Sequence, residues 1–157
     1  MQYLQSLNYE LIVVTNQSGI ARGFLKWDDY LNVTEKMISL LNKKNTLLAI
    51  YSNGLNADAP LYSWRKPNPS MILNAAFSLK IDLTKSIFIG DRLTDLIAGL
   101  KSGINQLIHI RTGHGSEERE EVERFFTKNK FPNKLDLKLI DKFNKKSIID
   151  IHKYFKK

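Results

Sequence analysis

The chain has 157 residues, 43% hydrophobic and 25% charged, which is ordinary for a soluble globular protein and suits a single domain, residues 1–157. It has no cysteine, which excludes disulfides and thiolate metal sites, and no apolar run of about eighteen residues, which excludes a membrane-spanning helix. Its net charge of +8 lies mostly at one end: residues 128–157 hold ten lysines against Asp136, Asp141 and Asp150, while residues 1–127 are nearly neutral. The start, Met1 to Ser6, has neither a basic n-region nor a long apolar stretch, so no secretory signal is expected and the composition fits the cytoplasm. The basic end lacks the interleaved aromatics that stack bases. It reads as a lysine-rich solvated surface, and nucleic acid is not an expected partner.

In chain order the pattern alternates strand and helix. Residues before Leu11 look like the tail of a helix. Leu11-Ile-Val-Val14 reads as a buried strand closed by polar Thr15 to Gly19. Tyr30, Thr34, Met37, Ile38 and Leu41 recur at helical spacing, with Asp28 and Asp29 in the first turn, where the helix dipole favours acids. Leu47 to Tyr51 is a second strand, and Asn53 to Lys66 a loop. Pro67 and Pro69 open a helix with Ile72, Ala75, Ala76 and Leu79 on one face. Ile87-Phe-Ile89 is a third strand, and Thr94 to Ser102 a helix stopped by Gly103. Gln106 to Ile110 is a fourth strand, Glu117 to Lys128 an acidic helix, Leu137 to Ile140 a short edge strand, and Ser147 to Phe155 a closing helix. Repeated βα units predict an α/β, Rossmann-like fold, with a parallel sheet and helices on both faces. Ligands of such sheets sit beyond the carboxyl ends of the strands.

Three strand-following segments carry chemistry there. Thr15-Asn16-Gln17-Ser18-Gly19 offers a hydroxyl and backbone N–H groups suited to phosphate oxygens, although the same residues also make ordinary turns. In Trp64-Arg65-Lys66-Pro67-Asn68-Pro69, the prolines rigidify a loop that presents Lys66. A lysine held there can neutralise a phosphoryl group or a carboxylate, and the alternative is a surface Arg-Lys pair. Gly90-Asp91-Arg92-Leu93-Thr94-Asp95 sets two carboxylates four residues apart after an apolar strand. Mg²⁺ takes such oxygens, and Asp95 also suits plain helix capping. His109 alternates within an apolar strand and reads as structural. His114 lies in a loop, either as a surface histidine or as a substrate contact.

Together these segments resemble the haloacid dehalogenase (HAD) superfamily of phosphotransferases, with Thr15 on its second motif, Lys66 on its third, and Asp91 and Asp95 on its fourth. Val13 to Gly23, Arg65-Lys-Pro67 and Ile110-Arg-Thr-Gly113 are similar to the D-glycero-D-manno-heptose 1,7-bisphosphate phosphatases and their histidinol-phosphatase relatives. The resemblance spans roughly residues 8–113. It implies hydrolysis of a small phosphomonoester, such as a phosphorylated sugar, with Mg²⁺. Asp91 would be the metal ligand, and Asp95 would support it or orient Lys66. Thr15 and the amide of Asn16 would bind the transferring phosphoryl group. Lys66 would offset transition-state charge, and Arg65 would hold substrate phosphate with its forked donors.

The pattern breaks in two places. The family's nucleophile is an aspartate ending the first strand, with a general acid two residues on, and no apolar run of this chain ends in Asp-x-Asp. The expectation is a chain N-terminally truncated relative to the family, or one that borrows the strand from a partner chain, with little or no activity as written. The other readings are a non-catalytic phosphate- or sugar-phosphate-binding module, and, less favoured by the charge distribution, a nucleic-acid 3′-phosphatase. The structural zinc loop of the heptose branch is also missing, since Tyr51 to Trp64 holds neither cysteine nor histidine and no zinc is expected.

Overall fold

The β-branched run after Leu11 forms the first strand of a computed structural model that describes residues 4, 6–41, 47–60, 62–131, 135–142 and 144–155. The chain divides into two compact units, Met1–Arg65 and Lys66–Lys157.

In the first unit, β1 (Ile12–Asn16) pairs in parallel with β2 (Ala49–Asn53), in register from Ile12 opposite Ala49 to Asn16 opposite Asn53. Parallel pairing requires a crossover, here made by a single turn, α1 (Ser18–Ala21), and by α2 (Trp27–Ser39). The acids expected in the first turn of α2 are there, and Asp29 Oδ2 accepts the Lys26 main-chain N–H at 3.0 Å. Tyr30 is the buried residue of α2; Ile38 is exposed and Leu41 lies beyond the last turn. Both strands run further than their apolar stretches, through Thr15-Asn16 and Ser52-Asn53. Ladder hydrogen bonds are made by the backbone, so polar residues continue a pairing that apolar residues begin.

In the second unit, β3 (Ile87–Gly90), β4 (Gln106–Ile110) and β5 (Asp136–Ile140) form a parallel sheet in that order. The edge position expected of the last strand is observed. Helix α3 (Ser70–Leu79) buries Met71, Ile72 and Ala75. Helices α4 (Leu93–Lys101), α5 (Gly115–Lys128) and α6 (Lys145–Phe155) follow their strands. The central strand is the most enclosed: Leu107, Ile108 and His109 are fully buried, as expected for a parallel strand covered on both faces. Leu96 and Val122 complete this core. All described strands thus sit in parallel α/β arrangement, as the alternating pattern predicts. No helix among the described residues is long and apolar enough to cross a membrane.

Candidate functional site

In the first unit, Thr15 and Asn16 end β1 beside Ser52 and Asn53 of β2. Gln17 Nε2 donates to Thr15 Oγ1 at 2.9 Å, and the Gln17 main-chain N–H donates to the Asn53 carbonyl at 2.7 Å. The polar segment after β1 is therefore tied to the end of β2. The Thr15 hydroxyl accepts from Gln17 and keeps its own proton as a donor. Arg65 Nη1 donates to the Leu55 carbonyl at 2.8 Å, which anchors the guanidinium against the loop after β2.

In the second unit, Lys66 and Asp95 meet. Lys66 Nζ lies 2.8 Å from Asp95 Oδ1, with side chains 8% and 9% exposed. The other Asp95 oxygen accepts the Arg92 main-chain N–H at 3.2 Å, the capping contact of α4. Sequence reasoning left Asp95 open between capping, supporting the metal corner and orienting Lys66. The geometry gives it a capping contact and an ion pair at once, with both oxygens engaged by protein. Gly90 makes room for this carboxylate, since a Cβ there would collide with the Asp95 Cβ.

Asp91 follows β3 directly. Its Oδ2 accepts the His114 main-chain N–H at 2.8 Å, and its carbonyl is 3.0 Å from His109 Nε2. A carbonyl only accepts, so Nε2 carries the proton and His109 is a donor. Burial holds the His109 pKa below the ordinary histidine value, which favours this neutral form. Its Nδ1 is buried and has no hydrogen-bond partner among the described residues. Gly113 has φ of 62°, and a Cβ there would strike Asp91 Oδ2. The turn between β4 and α5 thus depends on glycine to cradle that carboxylate.

One contributor escaped sequence reasoning. Glu118 of α5 pairs with Arg92 Nε at 2.6 Å and accepts the Leu93 main-chain N–H at 2.7 Å. It caps the helix that carries Asp95, from a position no local spacing could reveal. His114, read as a surface histidine or a substrate contact, has an exposed ring 3.7 Å from Glu117 and holds Asp91 through its backbone N–H. His109, read as structural, is joined to Asp91.

The donor set suits a hard cation of few protein ligands. Mg²⁺ usually takes one or two carboxylates and keeps several waters. No cluster of three or more His, Cys, Asp or Glu that could enclose a metal occurs among the described residues. Asp91, at a strand end and with the N-terminus of α4 behind it, is a carboxylate of the required kind.

Comparison with known proteins agrees with these elements. The profile of the HAD-hydrolase-like family matches residues 63–135. A D-glycero-beta-D-manno-heptose-1,7-bisphosphate 7-phosphatase of Haemophilus influenzae is 40% identical over 119 residues, 72% of this chain and 65% of that protein. The D-glycero-alpha-D-manno-heptose-1,7-bisphosphate 7-phosphatase of Photorhabdus laumondii is 34% identical over 128 residues, 77% of this chain and 70% of its own. The chain thus spans 65% of the length of the first relative. Among solved structures, the D,D-heptose 1,7-bisphosphate phosphatase of B. bronchiseptica, complexed with magnesium and phosphate, superposes with a TM-score of 0.70 at 25% identity. That superposition covers 87% of this chain and 72% of that one. A HAD-like phosphatase of Mesorhizobium loti shares the fold, with a TM-score of 0.68 at 24% identity over 98% of this chain and 72% of its own. The chain belongs to the HAD-like D-glycero-D-manno-heptose-1,7-bisphosphate 7-phosphatase family.

Proposed function

We propose that this chain carries the phosphate-holding and cation-holding residues of a sugar-bisphosphate phosphatase, and that the polypeptide as given turns over phosphomonoesters slowly or not at all. The observation that carries the first part is the buried Lys66–Asp95 pair, whose carboxylate lies in the first turn of the helix that follows Asp91. Enclosing an ammonium and a carboxylate is costly, and an anion-binding site gives a reason for it. The second part rests on the sequence, which offers no strand-ending Asp-x-Asp to attack phosphorus.

The contacts support the following roles. Thr15 donates its hydroxyl proton to a phosphoryl oxygen, and Asn16 offers its amide. Arg65, anchored on Leu55, holds substrate phosphate. Lys66 supplies positive charge to the transferring group, and Asp95 aims it. Asp91 is the residue to hold Mg²⁺, which when bound would withdraw charge from phosphoryl oxygens. The reading is of a HAD-like phosphatase acting in the cytoplasm on a small phosphorylated sugar.

The missing nucleophile also favours a second reading, a binding module that holds sugar phosphate without hydrolysing it. Turnover of p-nitrophenyl phosphate and heptose 1,7-bisphosphate with Mg²⁺ separates the two parts, run beside calorimetric titration with inorganic phosphate. The expected result is phosphate binding with negligible turnover. Robust turnover abolished by Asp91→Ala would overturn the proposed inactivity, and no phosphate binding would overturn the site. Salt-dependent binding to DNA would instead revive a nucleic-acid substrate.

A further inference from the structure

The first unit contains an open cleft of about 680 Å³, within the size range of small-molecule sites. Its walls include Trp27, Tyr62 and Trp64, and its polar lining includes Ser52, Asn53 and Ser63. The three rings are 47%, 85% and 43% exposed. Large rings repay burial, so three exposed ones around a single cleft make a surface suited to a flat partner.

Both tryptophans are braced on one side. Trp27 meets Tyr30 edge-on at 5.7 Å and lies against Gly54, where a Cβ would come within 2.8 Å of the indole. Trp64 is tilted against Tyr51 at 6.3 Å. The polar side is also fixed. Asn53 Oδ1 accepts the Leu55 main-chain N–H at 2.7 Å, so the amide nitrogen is left as the donor. A wholly apolar ligand would leave Ser52 and Asn53 unmatched. A ring with one C–H face and a fringe of hydroxyls would match both kinds of surface.

The register supplies the link to phosphate. Ser52 and Asn53 are the ladder partners of Thr15 and Asn16, about 4.8 Å across a strand pair. A group attached to a phosphate on Thr15 and Asn16 has this cleft immediately beside it. We propose that the cleft is a ring-stacking subsite for the sugar of a phosphorylated substrate. The pyranose C–H face lies on Trp27 or Trp64, and its hydroxyls meet Ser52 and Asn53. This rests on the phosphosugar reading above and adds the residues that select the sugar.

The chain has only two tryptophans, and both line the cleft, so intrinsic tryptophan emission reports on it directly. The probes are D-mannose 6-phosphate and inorganic phosphate, each followed by emission and by calorimetry. Mannose 6-phosphate should change the emission saturably, and phosphate should bind without changing it. Trp27→Leu or Trp64→Leu should weaken mannose 6-phosphate binding at least about fivefold and leave phosphate binding unaltered. Trp27→Phe and Trp64→Phe should retain most of the affinity. If phosphate binds but the sugar phosphate binds no tighter and leaves the emission unchanged, the cleft proposal fails and the phosphate site stands. If neither probe binds, both readings fail. The wild-type emission result decides the matter even if a leucine variant does not fold.

Discussion

Lys66 and Asp95 form an ion pair at 2.8 Å with both side chains nearly removed from solvent. Taking two charges out of water costs several kcal/mol for each ion, and attraction offsets this only with good geometry and further hydrogen bonds. The further bond is present, since Arg92 donates its main-chain N–H to the same carboxylate. The pair joins the loop that opens α3 to the first turn of α4, within one unit.

Asp95→Leu should therefore leave a buried ammonium without its carboxylate and cost about 3–5 kcal/mol in urea unfolding. Lys66→Met/Asp95→Leu together should cost clearly less than the two single changes added. Strict additivity of the two would show that they do not interact.

Gly113→Ala tests the cradle around Asp91. The alanine would sit at φ of 62° and press on the carboxylate oxygen that His114 holds. The expected loss is about 1–2 kcal/mol of stability from strain. A larger effect is expected on Mg²⁺ binding, followed by calorimetry at fixed phosphate. Unchanged Mg²⁺ affinity in the folded variant would remove Asp91 from the cation site.

His109→Leu removes the donor to the Asp91 carbonyl in a fully buried position. An acceptor left without a partner costs about 1–3 kcal/mol. His109→Gln retains a donor and should recover part of that loss. Equal destabilisation by both substitutions would mean that ring packing, and not the hydrogen bond, is what matters.

Glu118→Ala should uncap α4 and release Arg92, at about 1 kcal/mol for the lost cap. Glu118→Gln keeps an acceptor for the Leu93 N–H and should cost less. The exposed Arg92 side of the contact contributes little by itself, as ion pairs near solvent do. Denaturation midpoints of the two variants measure the difference, and equal midpoints would assign the effect to the ion pair.

The order of strands and helices, the parallel character of the sheets and the edge position of β5 were legible in the sequence. Apolar runs, capping acids and glycine stops are local signals, and local backbone preference produced what they indicate. Thr15, Lys66 and Asp91 could be singled out from the sequence because their residue types and order are written along the chain, and their roles belong to the proposal above. Tertiary structure alone decided how the residues around them are bound. Glu118 reaches the head of α4 from 25 residues away, His109 touches Asp91 from a neighbouring strand, and Asp95 takes Lys66 as partner rather than capping alone. Such contacts depend on which elements pack together, and pairing across long loops leaves no periodicity in the sequence. The aromatic cleft belongs to the same class: Trp27 and Trp64 lie far apart in sequence, and the folding of one unit brings both to the end of β2.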